Sequence, residues 1–173
     1  MSEKESDVMY YANIIENDVN NGIGFRVSLF ISGCTRKCPF CWNKELWNKC
    51  YGKVFTDEVK DEMFAEVSNS YYDGISILGG DPLMEYNITE VTELLKEFKE
   101  TFPNKTVWLW SGAVWEDVKD YEIFRYTDIF IDGLFEIDKR DLNLKWRGSS
   151  NQRLIDVKVS LESNSTILAT EYY

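Results

Sequence analysis

The sequence of 173 residues contains no histidine. This absence excludes catalysis by serine–histidine or cysteine–histidine pairs, in which the imidazole ring moves the proton. It also excludes every metal site that has a histidine ligand. Difficult chemistry is therefore left to cysteine, to carboxylates or to a bound cofactor.

Basic residues are also scarce, with 19 lysines and arginines against 30 aspartates and glutamates. The formal charge of −11 repels polyanions, so direct binding to nucleic acid or to an anionic membrane surface is not expected. No apolar run approaches the roughly 18 residues that a membrane-spanning helix needs. Residues 1–7 are charged and lack the apolar core of a secretory signal, which predicts a location in the reducing cytoplasm.

Only three prolines interrupt the chain, and apolar patterns typical of strands alternate with patterns typical of helices. The patterns predict strands at residues 24–31, 74–78, 106–110, 128–131 and 154–160. They predict helices at residues 57–68, 88–100 and 114–124. This alternation indicates βαβ units and a mostly parallel sheet in an α/β protein. The length predicts one domain over residues 1–173, with a core at about 10–155 and a tail at about 156–173.

Two of the predicted helices have capping signals at their amino ends. Thr56 offers a side-chain oxygen to the first turn of the helix at 57–68. Asn87, with Glu90 three residues further on, has the spacing of a capping box for the next helix. Both helices are therefore expected to begin directly after these residues.

The length also limits how a parallel sheet can close. A complete eight-fold barrel takes about 250 residues, so this chain can build only part of one. Ligands of parallel sheets gather at the carboxyl ends of the strands. Each distinctive polar motif of this sequence follows a predicted strand, which places the motifs together at that edge.

Four cysteines are present, and three of them lie within eight residues as Cys34-x3-Cys38-x2-Cys41. In a reducing compartment, clustered thiols more often bind metal or do redox chemistry than form disulfides. Three thiolates on one tight loop suit a 4Fe–4S cluster, because sulfur ligands hold the iron of such clusters. Since such a cluster normally takes four cysteines, three ligands leave one iron open to bind a substrate.

Two other interpretations of the cysteines remain open. A structural zinc site would use Cys50 as its fourth ligand, although zinc sites usually contain paired C-x2-C units and only one such pair is present. The cysteines would otherwise be free, buried thiols. Under the cluster interpretation, Cys50 is an ordinary packed or half-exposed thiol.

The segment 32–43, called the cysteine loop below, resembles the cluster-binding motif of the radical S-adenosylmethionine (SAM) enzymes. An aromatic residue commonly precedes the last cysteine of that motif, as Phe40 does here. Gly79-Gly80-Asp81-Pro82 resembles the GGE-type motif of the same superfamily, although it is also a good turn sequence. The resemblance implies the radical SAM fold, an incomplete TIM-type barrel of parallel strands. It also implies that the open iron chelates SAM, whose reductive cleavage releases a 5′-deoxyadenosyl radical.

Further motifs narrow the resemblance to one family over roughly residues 10–155. They are, in order, NGIGFR at 21–26, the cysteine loop, GGDPL at 79–83, WLWSG at 108–112, Asp132-Gly133 and WRGSSNQR at 146–153. Together they are similar to the anaerobic ribonucleoside-triphosphate reductase activating proteins. This resemblance implies that the chain installs a glycyl radical on a large reductase subunit, by abstracting hydrogen from one glycine.

The resemblance also implies site residues and partners. Cys34, Cys38 and Cys41 would hold one 4Fe–4S cluster. The residues expected to contact SAM are Phe40, Cys41, Trp42, Gly79, Gly80, Asp81, Ser111 and Asp132. The partners would be the anaerobic ribonucleotide reductase, as protein substrate, and a flavodoxin-like or other low-potential reductant.

Two questions stay open at this point, namely the function of the chain and the role of one polar stretch. Besides the activation of the reductase, the chain would be a radical SAM enzyme that acts on another glycyl-radical protein or on a small molecule, or it would be a non-catalytic, zinc-binding interaction module. The polar stretch 147–153 would hold the SAM carboxylate, face the reductase, or only cap the last strand.

Overall fold

The computed structural model describes residues 8–173, so the interpretation of residues 1–7 as lacking a secretory signal lies outside the described residues. The strands are β1 (Tyr10–Asp18), β2 (Phe25–Ile31), β3 (Lys53–Val54), β4 (Tyr72–Gly79), β5 (Thr106–Trp110), β6 (Ile129–Asp132) and β7 (Arg153–Asp156). The α-helices are α1 (Asp57–Val67), α2 (Ile88–Thr101), α3 (Trp115–Val118) and α4 (Val157–Ser163). Within residues 8–173, no helix is both long enough and apolar enough to cross a membrane.

The seven strands form one mixed sheet in the order β3-β1-β2-β4-β5-β6-β7. Strands β2, β4, β5 and β6 run parallel, whereas β1, β3 and β7 pair antiparallel with their neighbours. The α/β class is thus confirmed, but the sheet is mixed rather than mostly parallel. A short loop joins β1 to β2, so these neighbouring strands pair as an antiparallel hairpin. A parallel pair would need a longer crossover connection.

Most predicted elements lie within two residues of their expected bounds, and the strand at 106–110 is confirmed at both ends. The predicted strand at 154–160 is wrong beyond Asp156. The Asp156 side chain accepts a hydrogen bond from the Val159 N–H (3.0 Å) and so caps α4. The predicted helix at 114–124 is divided into α3 and a 3-10 turn at Glu122–Arg125.

One of the two capping predictions is confirmed and the other is wrong. The Thr56 hydroxyl accepts a hydrogen bond from the Val59 N–H at the start of α1. Asn87 makes no side-chain cap, because its buried amide group donates to the carbonyl oxygens of Ser32 (2.9 Å) and Asp81 (3.2 Å). Asn87 therefore links the residues that follow β2 to those that follow β4.

The sheet has a core on each face, because successive strand residues point to opposite sides. Val107 and Leu109 of β5 belong to the larger core with α1 and α2, whereas Trp108 belongs to a smaller core. The tail covers this second core: Ala169 is buried in it, and the ring of Tyr172 lies 5.3 Å from that of Trp108. The tail, to which the sequence motifs assign no role, therefore completes the fold.

Arg26 of β2 is fully buried, and hydrogen bonds satisfy its guanidinium group. Its N–H groups donate to the hydroxyls of Ser76 (2.7 Å) and Thr106 (2.9 Å) and to the carbonyl oxygens of Ile23, Ile75 and Thr106. Burial lowers the pKa of Arg26 to about 10, because the charged form loses its contact with water. This side chain joins β2 to β4 and β5, toward the amino ends of the parallel strands.

Replacement of Arg26 by methionine is expected to lower the free energy of unfolding by about 2–4 kcal/mol, because buried hydroxyl and carbonyl groups lose their donors. Urea denaturation measures this change. Arg125→Met, at an exposed position, is the matched control and should cost less than about 0.5 kcal/mol. A cost below about 1 kcal/mol for Arg26→Met would show that other contacts hold these strands together.

Candidate metal centre

The cysteine loop follows β2 and reverses direction at several residues. Gly33, Lys37 and Phe40 have positive φ angles of 97°, 49° and 59°, in the left-handed region that non-glycine residues rarely occupy. Lys37 and Phe40 stand immediately before Cys38 and Cys41. The backbone therefore turns just ahead of each of these cysteines, which keeps the loop compact.

Cys34, Cys38 and Cys41 are half-buried and line one cavity of about 240 Å³. Other walls of the cavity come from the carboxyl ends of three parallel strands, namely Gly79, Gly80 and Asp81 from β4, Ser111 and Gly112 from β5, and Gly133 from β6. The polar motifs thus meet at the edge of the sheet where parallel strands usually bind their ligands.

The segment Gly79–Asp81 is in backbone contact with the end of β2 and with the cysteine loop. The Gly80 N–H donates to the Ile31 carbonyl oxygen (2.8 Å), and the Asp81 N–H donates to that of Gly33 (2.9 Å). A Cβ atom on Gly80 would lie only 2.5 Å from the Gly33 carbonyl oxygen. The close approach of the two segments therefore requires glycine at position 80.

The Asp81 carboxylate is buried and fully engaged by protein donors. It accepts hydrogen bonds from the Leu83 N–H (2.9 Å), the Ser111 hydroxyl (2.7 Å) and the Gly112 N–H (3.3 Å). It also forms an ion pair with Arg36 of the cysteine loop. Asp81 thus ties the ends of β4 and β5 to the cysteine loop.

The two aromatic residues predicted to contact SAM occupy different places. Trp42 lines the cavity, is 74% exposed and carries the guanidinium group of Arg140 5.2 Å from its ring centre. Phe40 is 68% exposed and is not among the residues that line the cavity. The loop therefore presents Phe40 to solvent and Trp42 to both the cavity and solvent.

Asp132 lies beside the cavity rather than in it. Its buried carboxylate accepts hydrogen bonds from the Trp115 N–H (2.9 Å) and from Arg153, whose guanidinium group also pairs with Glu116 (2.7 Å). Arg153 holds the pKa of Glu116 down at about 2 by hydrogen bonding. Asp132 and Arg153 border a second, larger cavity of about 750 Å³.

Some residues of the first cavity were not predicted as site residues. Gln152 is one of them, and its side chain accepts hydrogen bonds from the N–H groups of Gly148 (2.9 Å) and Ser149 (3.1 Å) and donates to the Gly133 carbonyl oxygen (3.1 Å). The motif at 146–153 was the available signal for it. The others are Arg36, Asn43, Trp47, Leu78, Trp110, Gly112, Gly133, Phe135 and Gly148.

The donor set of the cavity fits an iron–sulfur cluster. Burial raises the pKa of the Cys34 thiol, and the nearby Asp81 charge raises it further, while N–H groups of Arg36 and Lys37 act in the opposite direction. The cavity offers three cysteine sulfurs and no histidine nitrogen, and soft sulfur donors of this kind bind iron–sulfur clusters. The remaining walls are mostly glycine backbone and aromatic rings, which leaves space beside the cysteines.

A single metal ion fits the described residues less well. Residues 8–173 contain no group of three or more cysteine or acidic side chains gathered closely enough to bind one ion. Cys50, the fourth ligand of the zinc interpretation, is exposed and does not line the cavity. A cluster spreads its ligands over several irons, so three cysteines that do not gather around one ion can still bind a cluster.

The cysteine loop and its position in the sheet define the class of single-cluster iron–sulfur proteins, and comparison with known proteins gives the same class. Residues 20–155 match the family described as "4Fe-4S single cluster domain". The matched region contains the whole cysteine loop and every residue that lines the first cavity.

Three relatives, each named anaerobic ribonucleoside-triphosphate reductase-activating protein, are similar to the chain over most of its length. The protein of Enterobacteria phage T4 is 42% identical over 146 residues, which are 84% of this chain and 93% of the relative. The Pasteurella multocida protein is 36% identical over 83% of this chain and 95% of its own. The Escherichia coli K12 protein is 34% identical over 83% and 96%, respectively. The chain therefore belongs to the family of anaerobic ribonucleoside-triphosphate reductase-activating proteins, which confirms the resemblance seen in the motifs.

Gly80→Ala is expected to lower the free energy of unfolding by about 1–3 kcal/mol, because the new methyl group meets the Gly33 carbonyl oxygen and the backbone must move. Chemical denaturation measures the cost. Gly148→Ala is the control, since its Cβ would meet the Phe135 side chain, which can shift. If the two variants were equally stable, the backbone contact at Gly80 would not be the constraint inferred here.

Proposed function

We propose that this chain activates an anaerobic ribonucleoside-triphosphate reductase by installing a glycyl radical on the large reductase subunit. The observation that carries the proposal is the cavity that three cysteines of one loop share with the carboxyl ends of parallel strands. A 4Fe–4S cluster with SAM, when bound there, would supply reductive cleavage of SAM and thereby the radical that abstracts the glycine hydrogen. The names of the relatives support the reductase as the protein substrate.

The residues of the cavity have separate tasks in this proposal. The three cysteines would hold three irons of the cluster. Gly79 and Gly80 would offer backbone carbonyl groups to the SAM ammonium group, since the absence of side chains lets a ligand approach closely. Asp81 would hold the cysteine loop against this backbone through Arg36.

The remaining predicted SAM contacts differ in their support. Trp42 and Ser111 line the cavity and therefore border the space that SAM would occupy. Phe40 and Asp132 do not line it, so their contacts with SAM stay predictions from the sequence. No general base is required of the chain, whose task is to orient SAM and the glycine and to exclude water.

The fold proposed for this function is the radical SAM fold, an incomplete TIM-type barrel in one domain over residues 1–173. Two observations support it. Strands β2, β4, β5 and β6 are parallel and successive along the sheet. Strands β3 and β7 are the two edges of this sheet. The site lies at the carboxyl ends of these strands, as it does in barrels of this type.

The electron would come from a flavodoxin-like or other low-potential reductant, because reductive cleavage consumes one electron. The cytoplasmic location stays a prediction, as does the lack of direct binding to nucleic acid or to a membrane. A measurement of the glycyl radical formed on the anaerobic ribonucleotide reductase separates this function from action on another glycyl-radical protein.

Anaerobically reconstituted protein is expected to form 5′-deoxyadenosine from SAM under a strong reductant, and to give a glycyl-radical signal in electron paramagnetic resonance when the reductase is added. Cys34→Ala, Cys38→Ala and Cys41→Ala are each expected to abolish both products, because each variant removes a cluster ligand. Chromatographic measurement of 5′-deoxyadenosine checks the first product.

Cys50→Ala is the matched control and should retain most of the activity, since Cys50 is exposed and lies outside the cavity. Equal loss in this variant would contradict the assignment of three ligands. A colourless protein that contains one zinc ion and forms no 5′-deoxyadenosine would support the interaction module instead.

A further inference from the structure

Charge is distributed unevenly over this acidic protein. Residues 33–47 and 133–152, which supply most of the first cavity's lining, carry seven of the 19 basic residues and four of the 30 acidic residues. Their combined formal charge is +3, whereas the rest of the chain has a formal charge of −14. The surroundings of the cavity are therefore basic, on a protein whose other segments are strongly acidic.

Five exposed residues of these two segments, Lys37, Phe40, Trp42, Lys44 and Arg140, are called the basic face below. The guanidinium group of Arg140 lies over the ring of Trp42, and this contact joins the two segments. Exposed aromatic rings and arginine are enriched in protein–protein interfaces. The composition of the basic face therefore suits contact with another protein.

The charges of the basic face are not neutralised by neighbours. Two other basic residues of the same segments, Arg36 and Lys139, are each paired with a carboxylate. No carboxylate in the described part of the chain lies within ion-pair distance of Lys37, Lys44 or Arg140. Three unpaired cations on the segments that carry the exposed rings present a positive field to an approaching protein.

We propose that the basic face docks the acidic protein that delivers the electron to the cluster, an inference that rests on the proposed function. Lys37 directly precedes Cys38 and Trp42 directly follows Cys41, so a partner on this face lies against the cysteine loop. Electron-transfer encounters bury little surface and depend on complementary charge for orientation and association rate. A small face with unpaired cations fits an acidic electron carrier of that kind.

The reductase has a different geometric requirement, because its glycine must reach the reacting atoms inside the site. The second cavity adjoins the first and shares Arg36, Gly112 and Gly133 with it. No residue of the basic face borders that cavity, whose acidic lining residues are Glu116, Asp117, Asp132 and Glu136. Electron delivery and substrate access therefore use different sides of the site.

The test compares Lys44→Glu/Arg140→Glu with Lys96→Glu/Lys158→Glu, a pair with the same charge change at exposed positions of α2 and α4 outside the cavity. Anaerobic stopped flow follows the loss of cluster absorbance when reduced flavodoxin is added. At low ionic strength we expect the second-order rate constant to fall about tenfold in the first pair and less than about twofold in the control. The difference should shrink at high salt.

Two further measurements separate docking from damage to the site. Photoreduced 5-deazaflavin, a small donor that needs no docking, should reduce all variants at the same rate and support SAM cleavage in each. Carbodiimide crosslinking to oxidised flavodoxin, which requires neither SAM nor catalysis, should join Lys37 and Lys44 to flavodoxin carboxylates. SAM cleavage with 5-deazaflavin tests the proposed function, and crosslinking tests the docking face independently of it.

Three outcomes would overturn the inference. Equal slowing in both double variants would show an effect of total charge. Slowing with 5-deazaflavin as well would show damage to the cluster site. Unchanged reduction by flavodoxin with loss of the glycyl radical would assign the basic face to the reductase.

Discussion

The site depends on the backbone contact between the end of β4 and the cysteine loop. Two hydrogen bonds, from the N–H groups of Gly80 and Asp81 to the carbonyl oxygens of Ile31 and Gly33, set the distance between the segment that would bind SAM and the loop that would bind iron. Backbone hydrogen bonds leave little freedom, because a lost partner would leave a buried polar group unsatisfied. The separation between cysteines and strand ends is therefore a property of the main chain, and only glycine at position 80 permits it.

A chain without histidine stiffens this contact with buried amide and carboxylate groups. Asp81 accepts hydrogen bonds from three loop segments, and Asn87 donates to the carbonyl oxygens of Ser32 and Asp81. Buried polar groups are costly unless they are fully satisfied, and fully satisfied networks specify one arrangement. The cysteines can thus lie on a loop, as functional residues often do, while the sheet supplies the precision.

Features that depend on residues close together in the sequence could be predicted, whereas features that depend on contacts between distant residues could not. The cysteines share one loop and β5 is a continuous apolar run, so local patterns were sufficient to predict both. Strand β1, which lies between β2 and the two-residue strand β3, has mostly half-exposed or exposed side chains, which gave no alternating pattern to find. The capping box predicted at Asn87 is wrong because its side-chain amide donates instead to the carbonyl oxygen of Ser32, 55 residues away in the sequence. The partners of Asp81 at Arg36 and Ser111 are 45 and 30 residues away, and only the folded sheet brings them together.

The excess of acidic residues in the chain affects how a charged partner can approach this site. A uniform charge of −11 would repel every acidic partner, including an electron carrier, at any orientation. The two segments around the cavity have a combined formal charge of +3, so they attract such a partner, whereas the rest of the chain, with a formal charge of −14, repels it. Specificity of this kind comes as much from the repulsive surface as from the attractive one. The same acidic surface would then favour the orientation in which the partner's redox group meets the cysteine loop, because the remaining segments carry a net negative charge.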